Sequence, residues 1–200
     1  MKWIKSLVIT CGFFCSAVFA DVNGLNQLLQ SFKSLQANFV QSISDHQGGL
    51  SDQQSGTLMI QKPNQFRWEV TQPNAQLFIS DGKNLWNVEP DLEQATRSKL
   101  TQNLSTTPLL LLSGDVTDLH KIFTVTQLGV GQYLLVPIDH DSLVKSVTLN
   151  FDHNTIEKIS VVNTMGQTAI VTFSQVRFNV AVPANTFVYK PASDVQVISQ

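Results

Sequence analysis

The sequence predicts a mainly β protein with a few α-helices, built on one large antiparallel sheet that curls or closes into a barrel. Short segments in which apolar and polar side chains alternate follow one another through most of the chain. Turn-forming Gly, Asn, Asp and Pro residues separate these segments at short intervals. Only two short segments show the three- and four-residue apolar spacing of a helix.

The start of the chain has the pattern of a secretory signal. Lys2 and Lys5 precede an apolar run over 7–15, and small side chains flank a predicted cleavage point after Ala20. The run is shorter than the roughly 20 residues that span a bilayer. This favours a cleaved signal over 1–20 rather than an uncleaved membrane anchor, and it predicts that the protein works outside the cytoplasm.

The predicted mature chain is one domain over 21–200 without cysteine. Cys11 and Cys15 both lie in the signal, and neither follows the small residue expected at a lipid-attachment site. The domain therefore has no thiol nucleophile and no disulfide, and its stability must come from its core. Removing two lysines changes the formal charge from −2 to −4, which gives no basic surface for nucleic acid or anionic lipid.

The mature chain begins with a predicted helix over 22–35, because apolar residues recur there at three- and four-residue spacing. The period then changes to two, with Ala37, Phe39 and Gln41 on one face, which predicts a strand. The polar stretch 44–54 contains a Gly-Gly pair and is interpreted as a loop.

A run of predicted hairpins follows this loop. The segment 91–100 is ambiguous. A second helix is predicted over 106–114, with Thr107 as its N-cap and Pro108 at its first position. The remaining predicted strands are 56–61, 65–71, 76–80, 85–88, 122–127, 132–138, 142–151, 155–163, 167–178 and 187–189.

Several of these strands are apolar on one face and polar or small on the other. Phe66, Trp68 and Val70 share a face, whereas Arg67 and Glu69 lie opposite them. The apolar face needs a cover, and the two predicted helices are short for a concavity made by roughly ten strands at native packing density. We therefore expect an apolar pocket in the space that the helices leave.

The sequence offers little for catalysis. It contains no nucleophile-elbow, zinc-protease, phosphate-loop or dinucleotide motif, so we predict that the protein is not an enzyme and needs no metal or cofactor. The densest titratable groups, 139–141 and 152–153, flank the predicted strand 142–151, whose extended length is roughly 33 Å. They are therefore predicted to lie in two separate surface turns rather than in one metal site.

The most specific pattern is Lys-Pro-Asn-Gln-Phe-Arg-Trp-Glu at 62–69, followed by a strand that ends in Ser-Asp-Gly at 80–82 and by Trp86. It resembles the periplasmic outer-membrane lipoprotein carrier family, LolA. A Phe-x-Gln element after the first helix and Thr-Pro-Leu-Leu at 107–110 resemble the same family. The resemblance follows the family's order along essentially the whole mature chain.

This resemblance implies an incomplete antiparallel β-barrel with helices as a lid, over an apolar cavity that receives the acyl chains of lipoproteins. It implies a monomeric periplasmic carrier, without a cofactor, that takes lipoproteins from an inner-membrane ABC release complex to an outer-membrane acceptor. For any single side chain, ordinary core packing is the alternative. The predicted cavity residues are Phe39, Phe66, Trp68, Phe78, Trp86, Leu109, Leu110 and Leu112.

The resemblance also implies a latch. In this family a basic residue before the proline is associated with holding the lid closed through hydrogen bonds to helix carbonyls. Here that position is Lys62, and we expect a looser latch because lysine lacks the planar fork of arginine. Arg67 is the other candidate, although strand alternation places it opposite Phe66 and Trp68.

Two other functions are compatible with the sequence. One is a cell-envelope lipid-binding or sensor module of similar fold that transports no lipoprotein. The other is a carbohydrate-binding β-module, suggested by the Trp, Asn and Gln content, which would need its aromatic side chains on an exposed face. A hydrolase finds no support in the motifs.

Overall fold

The structure, a computed structural model, describes residues 22–45, 47–100, 109–114, 116–117, 119–183 and 185–199. The predicted signal at 1–20 lies outside these ranges. Within them, no helix combines the length and the apolar composition needed to cross a membrane.

Most of the regular structure is β. The helical elements are α1 (Val22–Gln30), a 3-10 turn (Pro90–Leu92), α2 (Leu110–Ser113) and α3 (Leu119–Ile122). The strands are β1 (Ser34–Ser44), β2 (Leu50–Gln61), β3 (Gln65–Gln72), β4 (Gln76–Asp81), β5 (Asn84–Glu89), β6 (Gln94–Lys99), β7 (Phe123–Gly129), β8 (Gln132–Pro137), β9 (Val144–Asp152), β10 (Thr155–Asn163), β11 (Thr168–Phe178) and β12 (Gln196–Ser199).

These strands form one 12-stranded sheet in the order β12-β6-β5-β4-β3-β2-β1-β11-β10-β9-β8-β7. Neighbouring strands are antiparallel, except that β12 runs parallel to β6. Within the described ranges no ladder joins β7 to β12, so the curved sheet is open and makes an incomplete barrel. The predicted fold class, mainly β with one curved antiparallel sheet and a few helices, is confirmed.

The first helix, α1, ends earlier than the sequence predicts. The backbone N–H and the hydroxyl of Ser31 both donate to the carbonyl of Leu28, at 3.3 and 2.7 Å, which satisfies a terminal carbonyl of the helix. Leu35, predicted to complete the helix, is buried in β1 instead. Its position also continues the two-residue period of Ala37 and Phe39, so the apolar pattern alone fits either element.

Strand β2 begins inside the stretch predicted to be a loop. It runs from Leu50 to Gln61 beside β1, and Asp52 lies opposite Ile43. Main-chain hydrogen bonds hold this pairing whatever the side chains are. The polar Gln53 and Gln54 therefore extend the strand although their sequence lacks an apolar pattern.

The second predicted helix is confirmed in part. Helix α2 begins at Leu110, and the N–H of Gly114 closes its last turn on the Leu110 carbonyl at 2.7 Å. Thr107 and Pro108, predicted to start the helix, lie outside the described residues. Glycine is required at the helix end, because a Cβ on Gly114 would lie 2.6 Å from the Leu110 carbonyl oxygen.

The end of the chain differs from the prediction. Residues 187–189 do not form a strand, and the N–H of Val188 closes a turn on the Asn185 carbonyl at 3.2 Å. The sequence does not predict β12, which pairs with β6 from the ambiguous segment. It also misses α3, because a helix of one turn leaves too short an apolar period to detect.

The main core lies between the concave face of the sheet and the helices. Phe66 and Trp68 point into it, as predicted, and the rings of Phe39 and Trp68 stack with centroids 3.5 Å apart. Gly56 allows neighbouring strands to approach here, since a Cβ would lie 1.8 Å from the Glu69 carbonyl oxygen. Burial of each such aromatic side chain contributes about 1.5–3 kcal/mol, so this face is the main source of stability.

A smaller apolar cluster lies on the opposite face of the sheet. Trp86 contacts Tyr189 edge to face with ring centroids 5.2 Å apart, and Arg97 lies 5.6 Å from the Trp86 ring. Burial, and then the charge of Asp194, raises the pKa of Tyr189. The sequence predicts a polar outer face, but the C-terminal segment covers part of it. The cluster comprises Leu77, Ile79, Trp86, Val88, Ala95, Tyr189 and Val195.

Asp81 organises the turn between β4 and β5. Its carboxylate accepts hydrogen bonds from the backbone N–H groups of Lys83 and Asn84 and from the Asn84 side chain, at 2.7–2.8 Å. Burial acts to raise the pKa of Asp81, but these hydrogen bonds and the nearby Arg97 charge outweigh it and lower the pKa below its ordinary value.

We expect Asp81 to make the fold acid-sensitive. A carboxyl whose pKa is lowered by folding stabilises the protein above its unfolded pKa, and this stability is lost as the pH falls through the folded pKa. Asp81→Asn should therefore lower the melting temperature near neutral pH and flatten its decline below about pH 4. Thermal unfolding across this range measures both effects, with the exposed Asp91→Asn as control. Parallel curves for wild type and Asp81→Asn would contradict the prediction.

Candidate functional site

An apolar cavity of about 490 Å³ opens on the concave face of the sheet. This volume falls within the range of about 300–1,000 Å³ found for ligand sites. Gln41 is the one polar side chain among the described lining residues. The lining consists of Gln41, Phe66, Trp68, Phe78, Leu85, Leu109, Ile159, Val161, Ala169, Val171 and Phe173.

Four of the predicted cavity residues meet in this lining. Phe66 and Trp68 come from β3, Phe78 from β4, and Leu109 from the turn that precedes α2. Phe39 lies behind them, because its ring is buried against Trp68. Strand alternation in the sequence identifies the β3 pair, since every second side chain of a strand shares a face.

The other predicted residues lie elsewhere. Leu110 and Leu112 are fully buried in the main core under α2. Trp86 is not brought to the cavity: it pairs with Ile79, the neighbour of Phe78, and therefore projects from the opposite face. Trp86, predicted to line the cavity, therefore lies in the outer-face cluster instead, because the register of the β4–β5 hairpin decides the face.

The sequence does not predict the second wall of the cavity. Strands β10 and β11 supply it, and Phe173 of β11 lies opposite Phe39, which is 134 residues earlier in the chain. The alternation of Ala169, Val171 and Phe173 was the available signal, because it marks one apolar face. Only the long-range pairing of β11 with β1 turns that face toward Trp68.

The lining extends roughly 26 Å along the strands. Phe66 pairs with Ile60, which in turn pairs with Leu35, so Phe66 lies at the level of Leu35 on β1. At the other end of the lining, Ala169 pairs with Ile43, eight residues further along β1. At about 3.3 Å per residue this gives the stated length. One leaflet contributes about half of a hydrocarbon core that is ~30 Å thick. An alkyl chain of leaflet length therefore fits along the cavity.

Helices α1 and α2, which we call the lid, cover the concave face. The Lys62 ammonium donates to the Leu29 carbonyl near the end of α1 and lies 4.1 Å from the centroid of the Phe32 ring. A positive charge is favourable at both places. Arg67 lies on the outer face instead, where it pairs with Glu69 at 3.0 Å. Of the two latch candidates, Lys62 is the one that contacts the lid.

The same β2–β3 turn also holds α2. The N–H of Asn64 donates to the carbonyl of Ser113, the last residue of α2, at 2.7 Å. The fully buried Ser80 hydroxyl donates to the Asn64 carbonyl at 2.8 Å. Asn64 has a φ of 64°, a left-handed conformation that asparagine tolerates better than most residues. The turn at 62–64 therefore contacts both lid helices.

The titratable residues singled out in the sequence lie away from the cavity. Residues 139–141 precede β9, and residues 152–153 lie where β9 ends. The two groups therefore lie at opposite ends of that strand, as predicted. In the part of the chain that the structure describes, no three His, Cys, Asp or Glu side chains are placed to hold a metal ion.

We expect Trp86→Ala to reduce stability without changing the cavity. The substitution removes the contacts with Tyr189 and Arg97 on the outer face, which should lower the free energy of unfolding by about 1–3 kcal/mol. Affinity for an alkyl fluorescent probe should remain within about twofold of wild type, since the ring does not line the cavity. Urea unfolding and probe titration measure the two effects. Trp68→Ala, on the cavity side, should weaken probe binding, and a similar loss in Trp86→Ala would contradict the assignment of faces.

Comparison with known proteins identifies relatives along most of the chain. The family model described as outer membrane lipoprotein carrier protein LolA matches residues 30–190. An outer-membrane lipoprotein carrier protein of Pseudomonas fluorescens (strain Pf0-1) is 37% identical over 183 residues, covering 90% of this chain and 89% of its own. One of Coxiella burnetii (strain CbuK_Q154) is 34% identical over 211 aligned positions, covering 100% of both chains.

Solved structures share the fold at low sequence identity. A LolA superfamily protein from Nitrosomonas europaea aligns with a TM-score of 0.50 at 14% identity, covering 86% of this chain and 99% of that one. An uncharacterized conserved protein from Thermus thermophilus aligns with a TM-score of 0.54 at 13% identity, covering 90% and 98%. These structures support the architecture alone.

Proposed function

Because the chain belongs to the outer membrane lipoprotein carrier family LolA, we propose that its apolar cavity holds the acyl chains of its cargo. The protein is a periplasmic chaperone that carries lipoproteins. The observation that supports the cavity as the acyl site is its lining, in which ten of the eleven described residues are apolar. An acyl chain gains free energy from such a surface because it leaves water.

The energetics explain why a carrier needs a lid. A buried methylene contributes about 0.8 kcal/mol, so three acyl chains of about fifteen methylenes would contribute roughly 36 kcal/mol if fully buried. This exceeds the ceiling of about 18–21 kcal/mol for non-covalent affinity, and a carrier must also release its load. A lid that closes over the empty cavity competes with cargo and lowers the net affinity.

The proposed route begins at an inner-membrane ABC complex that releases lipoproteins and ends at an acceptor on the outer membrane. The segment 1–20 acts in this scheme as a cleaved export signal. The carrier shields the acyl chains from water between the two membranes. It performs no catalytic step and needs no cofactor, because transfer between apolar sites makes and breaks no covalent bond.

Mass spectrometry of the tagged protein purified from periplasm tests this function. We expect lipidated N-terminal peptides to co-purify with it, and we expect depletion of the protein to leave lipoproteins in the inner membrane. The tag alone, exported by the same signal, is the control. Absence of lipidated peptides together with normal outer-membrane lipoproteins after depletion would contradict the proposal. That result would also be expected of a sensor module that transports nothing.

The carbohydrate-binding alternative gains no support from the aromatic side chains. Trp68 is buried against Phe39, and Trp86 packs on Tyr189. A sugar-binding platform needs an open ring face, whereas Trp68 is buried and the half-buried Trp86 ring is already in contact with Tyr189 and Arg97.

A further inference from the structure

Gln41 is the polar exception in an otherwise apolar cavity. It lies on the inner face of β1, two residues after Phe39, between Val171 of β11 and Gln54 of β2. Ordinary core packing does not call for an amide at this place, because the neighbouring lining residues on β10 and β11 are aliphatic or aromatic.

The Gln41 side chain has unused hydrogen-bonding capacity. Within the described ranges its amide makes no hydrogen bond to another protein group, whereas the adjacent Gln54 donates to Asp52 at 3.1 Å. A glutamine amide carries two N–H donors and a carbonyl acceptor. When an alkyl chain displaces water from the cavity, a polar group left without a partner is costly. A ligand that fills this cavity without such a cost must bring a polar atom to Gln41.

The position of Gln41 along the cavity indicates which polar atom that is. Phe66 lies at the level of Leu35 on β1, because both pair with Ile60 of β2. Leu35 is six residues before Gln41, so the levels of Phe66 and Gln41 are roughly 20 Å apart along the strand. An acyl chain of one leaflet occupies about 15 Å of depth. A chain with its methyl end at Phe66 therefore brings the carbonyl that links it to its carrier molecule close to the level of Gln41.

We infer that the side-chain amide of Gln41 donates a hydrogen bond to the ester or amide carbonyl through which an acyl chain is joined to its lipoprotein. This inference rests on the proposed function. Hydrocarbon contacts are non-directional, so they do not determine which end of a chain enters first. A donor at the level of the linking carbonyl favours one direction, with the tail beside Phe66 and the protein part of the cargo outside.

A pair of synthetic probes tests the hydrogen bond. One is a cysteinyl dipeptide carrying a palmitoyl ester on a thioglycerol linker, and the other carries a hexadecyl ether, which lacks the carbonyl. We expect wild type to bind the ester about 3- to 10-fold more tightly than the ether, as one net hydrogen bond allows. Gln41→Leu should bind both equally, and it should bind the ether at least as tightly as wild type does, because leucine leaves no unpaired amide in the filled cavity.

Ser42→Leu is the matched control, since it makes the same kind of change on the outer face of β1 and should keep the ester preference. The same probe pair on glycerophosphocholine separates lipoprotein from membrane lipid as the source of the carbonyl. If Gln41→Leu loses the preference for ester over ether equally with the dipeptide probes and with the glycerophosphocholine probes, recognition of the carbonyl is supported. A loss confined to the phospholipid probe contradicts the inference.

The possible failures are distinguishable. If wild type binds neither dipeptide probe, the proposed function fails and the inference fails with it. If wild type binds both probes equally, or if Gln41→Leu keeps the preference, only the inference about Gln41 is overturned. If Gln41→Leu does not fold, the side-chain ¹⁵N–¹H signals of Gln41 in wild type decide. Larger shifts with the ester than with the ether support the hydrogen bond, and equal shifts overturn it.

Discussion

Phe66→Glu is expected to reduce lipoprotein loading by at least about tenfold while the domain still forms its sheet. Phe66 is 0% exposed and lines the cavity with Leu109. A carboxylate at this place must either stay hydrated, which keeps water in the cavity, or take up a proton, and both are costly in an apolar site. The substitution also removes aromatic surface that would contact an acyl chain, and a tenfold loss corresponds to only about 1.4 kcal/mol.

Release of a lipoprotein from spheroplasts into the soluble fraction measures this loss. Thr71→Glu is the matched control, because it adds the same charge to an exposed position at the end of β3 and should release lipoprotein normally. Circular dichroism reports whether each variant is folded. Phe78→Glu is a second test at a half-buried lining position, where folding should be less affected. Normal release by folded variants at both lining positions would refute the assignment of the cavity as the acyl site.

Lys62→Leu is expected to slow the handover of cargo about fivefold or more. The substitution removes the hydrogen bond from the ammonium to the Leu29 carbonyl and the contact with the Phe32 ring. A partly exposed, charge-assisted contact of this kind contributes about 1 kcal/mol. Because lid closure competes with cargo, a less stable closed state makes the loaded state relatively more stable, and release becomes slower.

The transfer rate of a fluorescent acyl-peptide from the loaded protein to acceptor vesicles measures this effect. Lys62→Arg should keep or increase the wild-type rate, since a guanidinium can donate two parallel hydrogen bonds to helix carbonyls. Lys99→Leu removes an exposed lysine from β6 and serves as the control for charge. An unchanged or faster transfer rate in Lys62→Leu would show that Lys62 does not stabilise the closed lid.

Part of the candidate site follows from the sequence alone. Alternation in β3 places Phe66 and Trp68 on one face, and the structure confirms this. Trp86, also predicted to line the cavity, projects from the outer face because of its pairing with Ile79. Alternation groups the residues within one strand, but the register across a hairpin decides which groups share a face, and a shift of one residue reverses it.

The amino-acid sequence is enough to predict the local features: the strand periods, the turns, the one-sided strands, and the family motif at 62–69. These depend on residues close together in the chain, so their pattern is readable without coordinates. The folded structure is needed to show that β11 lies beside β1, that the C-terminal segment packs against Trp86, and that Gln41 lies among apolar side chains. These features require contacts between distant parts of the chain. Such contacts depend on how whole faces match in shape and polarity, which no local pattern specifies.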